Sequence, residues 1–114
     1  MSMMIGRTVL AANGFSDNIY AGRQFEFAPA DGRYSFGFSV DTGTQGDVEL
    51  DIFCAGDTLG DRVQPGPTNR VPVIPDDVMI RGLCTQNDRI VGRARNSAAA
   101  ARTIIWAVWF DEAM

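Results

Sequence analysis

With 114 residues, 46% of them apolar and 21% charged, the chain has room for one domain with a modest hydrophobic core and none for a second. Its net charge of −4 comes from fourteen carboxylates against ten cations, with no histidine; every cation is an arginine. Lack of histidine excludes Ser-His-Asp and Cys-His catalysis and histidine-ligated zinc, and scattered charge without a basic stripe speaks against direct contact with nucleic acid.

The chain opens on Met1-Ser2-Met3-Met4-Ile5-Gly6-Arg7, which has no basic region leading into an apolar run, so no secretory signal is read there. No apolar stretch reaches the roughly 18 residues of a membrane span. The expectation is a protein made in the cytoplasm, with residues 1–6 as an extended arm ahead of a first strand over residues 7–12.

Strands are expected next at residues 20–27 and 33–40. In the second, Tyr34, Phe36, Phe38 and Val40 alternate with Ser35, Gly37 and Ser39, the period-two pattern of a half-buried strand. After the turn-rich residues 41–46, Val48, Leu50, Ile52 and Cys54 alternate with Glu49 and Asp51, and the two runs read as a hairpin. Residues 56–69, with two Asp, three Gly and two Pro, read as a long surface loop. Further strands are expected at residues 70–74, 78–84 and 89–95. Residues 96–102, with four alanines, are the one segment with helical propensity, enough for a turn or two.

The last strand, residues 103–110, is apolar on both faces: Ile104, Trp106, Val108 and Phe110 on one, Ile105, Ala107 and Trp109 on the other. Such a strand is either covered on both sides within the chain or puts one face against a partner. The expectation places Trp106 in the core, and Trp109, Ile105 and Arg102 at an interface, with Arg7 as an anchor to acidic groups on a neighbour. Short strands separated by Asn13-Gly14, Asp31-Gly32, Pro65-Gly66-Pro67 and Asn87-Asp88 predict one all-β domain over residues 1–114. Its predicted form is an antiparallel β-sandwich, jelly-roll-like, of about eight strands. Cys54 and Cys84 are expected as buried free thiols under cytosolic redox conditions.

No catalytic set, metal site or cofactor motif is read from the chain. Asp41-Thr42-Gly43 after an apolar strand, with Val91-Gly92-Arg93 downstream, is similar to the signature of retroviral-type aspartic proteases. That resemblance implies a dimer whose two Asp41 share a proton. The polar turn Gln45-Gly46-Asp47 departs from that pattern, and a hairpin turn accounts for the same residues. Asp57 and Asp61 are carboxylates without calcium-loop spacing. Trp106 and Trp109 fall on opposite faces of one strand and cannot form one sugar-stacking platform.

Residues 32–57 run from an alternating strand through a Thr/Gly turn to Gly46-Asp47-Val48-Glu49-Leu50-Asp51-Ile52 and Ala55-Gly56-Asp57. Arg93-Ala94-Arg95-Asn96-Ser97-Ala98 then leads into Thr103-Ile104-Ile105-Trp106. This pattern, over about half the chain, resembles small β-sandwich structural proteins of tailed-phage capsids. The resemblance implies a capsid decoration or cement protein on the virion surface. It would bind the major capsid protein as a homo-oligomer, with a trimer favoured, and need no cofactor, nucleic acid or membrane. A tail or head-tail connector component is the neighbouring alternative.

Overall fold

The computed structural model describes residues 2–72 and 78–112. Eight strands follow in chain order: β1 (Ser2–Leu10), β2 (Phe15–Ser16), β3 (Gly32–Val40), β4 (Val48–Cys54), β5 (Asp57–Val63), β6 (Val78–Cys84), β7 (Ile90–Asn96) and β8 (Arg102–Glu112). They form two four-stranded sheets, β1-β8-β3-β6 and β2-β7-β4-β5, in which every pair is antiparallel. Only the β4–β5 connection stays within a sheet; each other connection passes to the opposite one. This is the strand order of a jelly roll, in which the first and last strands lie side by side.

The alternation seen in the sequence becomes the core. Tyr34, Phe36, Phe38 and Val40 of β3 and Ile104, Trp106, Val108 and Phe110 of β8 face Val48, Leu50, Ile52 and Cys54 of β4 and Ile90 and Ala94 of β7. Aromatic rings dominate the middle: Tyr34 lies 5.8 Å from Phe36 and 5.0 Å from Phe110, centroid to centroid. Burial pushes the Tyr34 hydroxyl up to about 12, and its proton is donated to the Phe25 carbonyl at 3.0 Å.

Several expectations need correction. Residues 33–40 and 48–54 are strands, but they lie in different sheets and form no hairpin. The hairpin is β4–β5, closed by Ala55 and Gly56, both at positive φ (51° and 88°). That is the signature of a two-residue turn matched to strand twist, and it turns much of the expected loop 56–69 into a strand.

Residues 20–27 form no strand, because their backbone amides are spent on turns: Arg23 N–H donates to the Tyr20 carbonyl and Glu26 N–H to that of Arg23. The segment instead feeds Tyr20 and Phe25 into the core, with Ile19 and Ala28 from its two flanks. It packs where β2, only two residues long, leaves the second sheet short. Residues 96–102 are not helical. Asn96, almost fully buried, bonds the carbonyls of Ala11 (3.0 Å) and Ala100 (2.9 Å), and its Oδ1 accepts the Ala98 N–H. These bonds fix a bend that no alanine propensity overrides. Of the strand expected at residues 70–74, residues 70–72 are irregular and the rest lies outside the described residues.

Residues 2–6, expected in an arm, form the first half of β1 and pair with residues 106–110 of β8. The two cysteines, expected as free thiols, form a Cys54–Cys84 disulfide with a Cα–Cα separation of 6.4 Å. Cys54 ends β4 in one sheet and Cys84 ends β6 in the other, so the bond ties the two layers together at one end. Pairing across sheets is a tertiary fact invisible in a 30-residue spacing.

Candidate functional site

The two-faced strand β8 is central in its sheet, with β1 on one side and β3 on the other. Its register sets Trp109 between Met3 and Ser35, Ala107 between Ile5 and Gly37, and Ile105 between Arg7 and Ser39. These residues share the outer face, because the inner one is taken by Ile104, Trp106, Val108 and Phe110.

The outer side chains of β8 are nevertheless covered within the single chain. Ile105 and Ala107 are 0% exposed and Trp109 is 5% exposed. At the Ile105 end, the segment after β5 crosses beside β3. There, Ser39 and Thr68 hydroxyls meet at 2.7 Å, the Val40 N–H donates to the Gly66 carbonyl, and the Asn69 N–H donates to the Val40 carbonyl. Trp109 and Ile105, the expected interface pair, therefore present little surface to a partner.

Apart from Leu83 on the far edge strand β6 (76% exposed), the large apolar side chains that the outer face presents lie on the neighbouring strand. Met3 (42%), Ile5 (48%) and Val9 (70%) project from β1, with the exposed Arg7 between them, while Met4 and Leu10 turn inward. The alternation was there to be read from residue 3 onward. A chain terminus with few charges shares its composition with an arm, and pairing with β8 is what separates the two. Gly6 is required on the inner side, since a Cβ there would collide with the Trp106 indole ring. The Trp106 Nε1–H donates to the Thr8 hydroxyl at 3.1 Å, so β1 is locked to the core by the strand it flanks.

Arg102, expected at the interface, turns to its own chain. Its guanidinium donates to the Ala101 carbonyl at 3.1 Å and to Asp47 Oδ2 at 3.4 Å, and its side chain is mostly buried. Asp41 is likewise a tie: its Oδ1 accepts the N–H groups of Thr42 (2.9 Å) and Thr103 (3.0 Å), joining the turn after β3 to the start of β8. Gly43 adopts φ +107° beside Arg102 and Asp47, so Asp41-Thr42-Gly43 is occupied in turn geometry. Gly92 of the Val91-Gly92-Arg93 element packs beneath Ile19 and Tyr20.

Asp57 and Asp61 lie exposed on β5. Asp57 borders a cleft of about 450 Å³ with Asp31, Leu83, Cys84, Thr85 and Asp88. The carboxylates opposite it are engaged by backbone. Asp31 accepts the Gln86 N–H at 2.7 Å, and Asp88 takes bonds from the Thr85 hydroxyl and N–H that hold its carboxyl below the usual range. Among the described residues, no group of three or more side chains is placed to hold a metal ion.

The outer face of the second sheet is charge-paired, as solvated sheet faces are. Glu49 lies 3.9 Å from Arg95, and the Arg93 guanidinium stacks over Phe53. A second polar centre that sequence reading missed is Glu26, nearly buried, which accepts the Gly22 N–H at 2.9 Å and Arg89 Nε–H at 2.7 Å. Asn18 Nδ2–H donates to it as well, at 3.4 Å; of these partners, 4, 8 and 63 positions away, only Arg89 lies beyond the reach of local reading. Neither a scan of the chain against protein-family models nor a search of curated proteins finds a match.

Proposed function

We propose that the chain is a structural protein of a tailed-phage virion, a decoration or cement protein that binds the shell of the major capsid protein as a homo-oligomer. The observation that carries this reading is the strand order β1-β8-β3-β6 over β2-β7-β4-β5, a jelly roll. Capsid domains use that architecture repeatedly, and the warrant is one of fold-level analogy.

Two features suit the role. The sheets are stapled by the Cys54–Cys84 disulfide, a bond that persists outside reducing cytoplasm, where a released particle must survive. The outer face of β1 offers Met3, Ile5 and Val9 to a neighbour. Assembly on the shell is then a matter of burying this face, with Arg7 available to pair with acidic groups on the capsid subunit.

The test is electron cryomicroscopy, with mass spectrometry, of particles from the phage whose genome encodes the chain. The expected result is a symmetric surface feature that accommodates a domain of 44 × 25 × 21 Å. Finding the chain in the tail would favour the connector reading, and its absence from purified particles would reject both.

A further inference from the structure

Edges are where a sheet pairs with something else, and this sandwich has four. Three are blunted. β2 is two residues long. β5 meets β4 through two register shifts, carries Asp57, Asp61 and Arg62, and holds Arg62 at φ 52°. β6 meets β3 through a register shift at Phe36/Gly37.

β1 has none of these devices. It runs nine residues in unbroken register with β8, contains no proline or carboxylate, and bears one charge, Arg7. Among the described residues its far side is paired with no strand. An edge left regular while the other three are interrupted is an edge available for pairing.

We propose that β1 pairs antiparallel with β1 of a second copy of this chain across a two-fold axis at Gly6, joining two four-stranded sheets into one of eight. The choice of a second copy rests on self-complementarity and charge. Placing Gly6 opposite Gly6 sets Met3 opposite Val9 and Ile5 opposite Arg7, with all nine residues overlapped and outward side chains facing outward ones. A shift of two residues in one direction puts Arg7 opposite Arg7; in either direction it forfeits pairs. A shift by one residue sets the outer side chains of one copy against the inner ones of the other. The seam brings no carboxylate from β1, so the chain's net charge of −4 opposes association less here than along an edge such as β5.

The contact is a seam about 30 Å long with three apolar side chains from each copy. That is at the small end for a stable interface, so the dimer forms in a concentration-dependent way. The inference stands apart from the virion reading, because it is tested on the isolated protein. It also assigns a two-fold contact where the phage resemblance implied a trimer.

Sedimentation equilibrium from micromolar to millimolar concentration is expected to show a monomer–dimer equilibrium. Ile5→Lys, at an exposed position, is expected to weaken it about tenfold or more while leaving the thermal midpoint unchanged. A mixture of Met3→Cys and Val9→Cys chains under mild oxidation is expected to yield a covalent heterodimer, while each variant alone yields far less. A monomer at all concentrations would overturn the proposal. So would a trimer or larger species indifferent to Ile5→Lys, or failure of the mixed variants to cross-link. A monomer that still binds capsid shells through β1 would also reject self-pairing, leaving the proposed function standing.

Discussion

Arg89 donates its Nε–H to Glu26 Oε2 at 2.7 Å, across 63 positions of sequence, and so clips the turn segment before β3 to the start of β7. The Gly22 N–H, bonded to the other carboxylate oxygen, is the larger influence holding the Glu26 pKa below its ordinary 4.5; burial opposes it and Arg89 reinforces it. A depressed folded-state pKa means the unfolded chain takes up the proton first. The stabilisation is therefore complete above about 4.5 and is lost as pH falls through the lower folded value. Glu26→Gln is expected to cost about 1–2 kcal/mol at pH 7, and the gap to wild type should close below pH 4.5. Urea denaturation at several pH values checks this, and parallel curves for the two proteins would contradict it.

Reduction of Cys54–Cys84 frees the ends of β4 and β6 and releases a closed loop of 30 positions in the unfolded chain. The expected loss is about 2–4 kcal/mol. Denaturation with and without a phosphine reductant measures it. A Cys54→Ser, Cys84→Ser chain should match the reduced protein and ignore the reductant.

Trp106 and Trp109 lie on opposite faces of β8 but are both buried within the chain, at 0% and 5% exposure. Trp106 contacts Tyr20 edge-on at 5.0 Å and carries the Arg23 guanidinium over its ring. Trp106→Ala is expected to cost about 3–5 kcal/mol and to leave little folded protein. Trp109→Ala is now also expected to destabilise the monomer, by about 2 kcal/mol or more, rather than to act on assembly alone. Thermal unfolding of both variants checks this; an unchanged midpoint for Trp109→Ala would return that residue to the interface.

Ala55 sits at φ 51° in the β4–β5 turn, a conformation that costs an L-residue with a Cβ roughly 1 kcal/mol. Asparagine tolerates this region, and Asn-Gly is the preferred pair for such a turn. Ala55→Asn is thus expected to raise stability by about 0.5–1 kcal/mol, read as a higher denaturation midpoint with an unchanged slope. An unaltered or lowered midpoint would mean that the turn relaxes elsewhere.

An all-β sandwich was legible in the sequence because period-two alternation at Tyr34–Val40 and Val48–Cys54 is a local property, imposed by the pleat on any strand with one dry face. Strand partners were not. β3 and β4 alternate alike and adjoin in sequence, yet six of the seven connections change sheet, and nothing local distinguishes a hairpin turn from a crossing one.

For the candidate site, the sequence alone established that β8 is apolar on both faces and that something must cover the second one. Only the tertiary structure decided that the chain covers Ile105, Ala107 and Trp109 itself, and that Met3, Ile5 and Val9 of β1 stay exposed beside them. Alternation is set by neighbours two residues away, whereas cover is set by distant segments, as where Thr68 meets Ser39 across 29 positions and Met3 meets Trp109 from the other end of the chain. Those encounters depend on how the whole chain winds, and no window of sequence contains them.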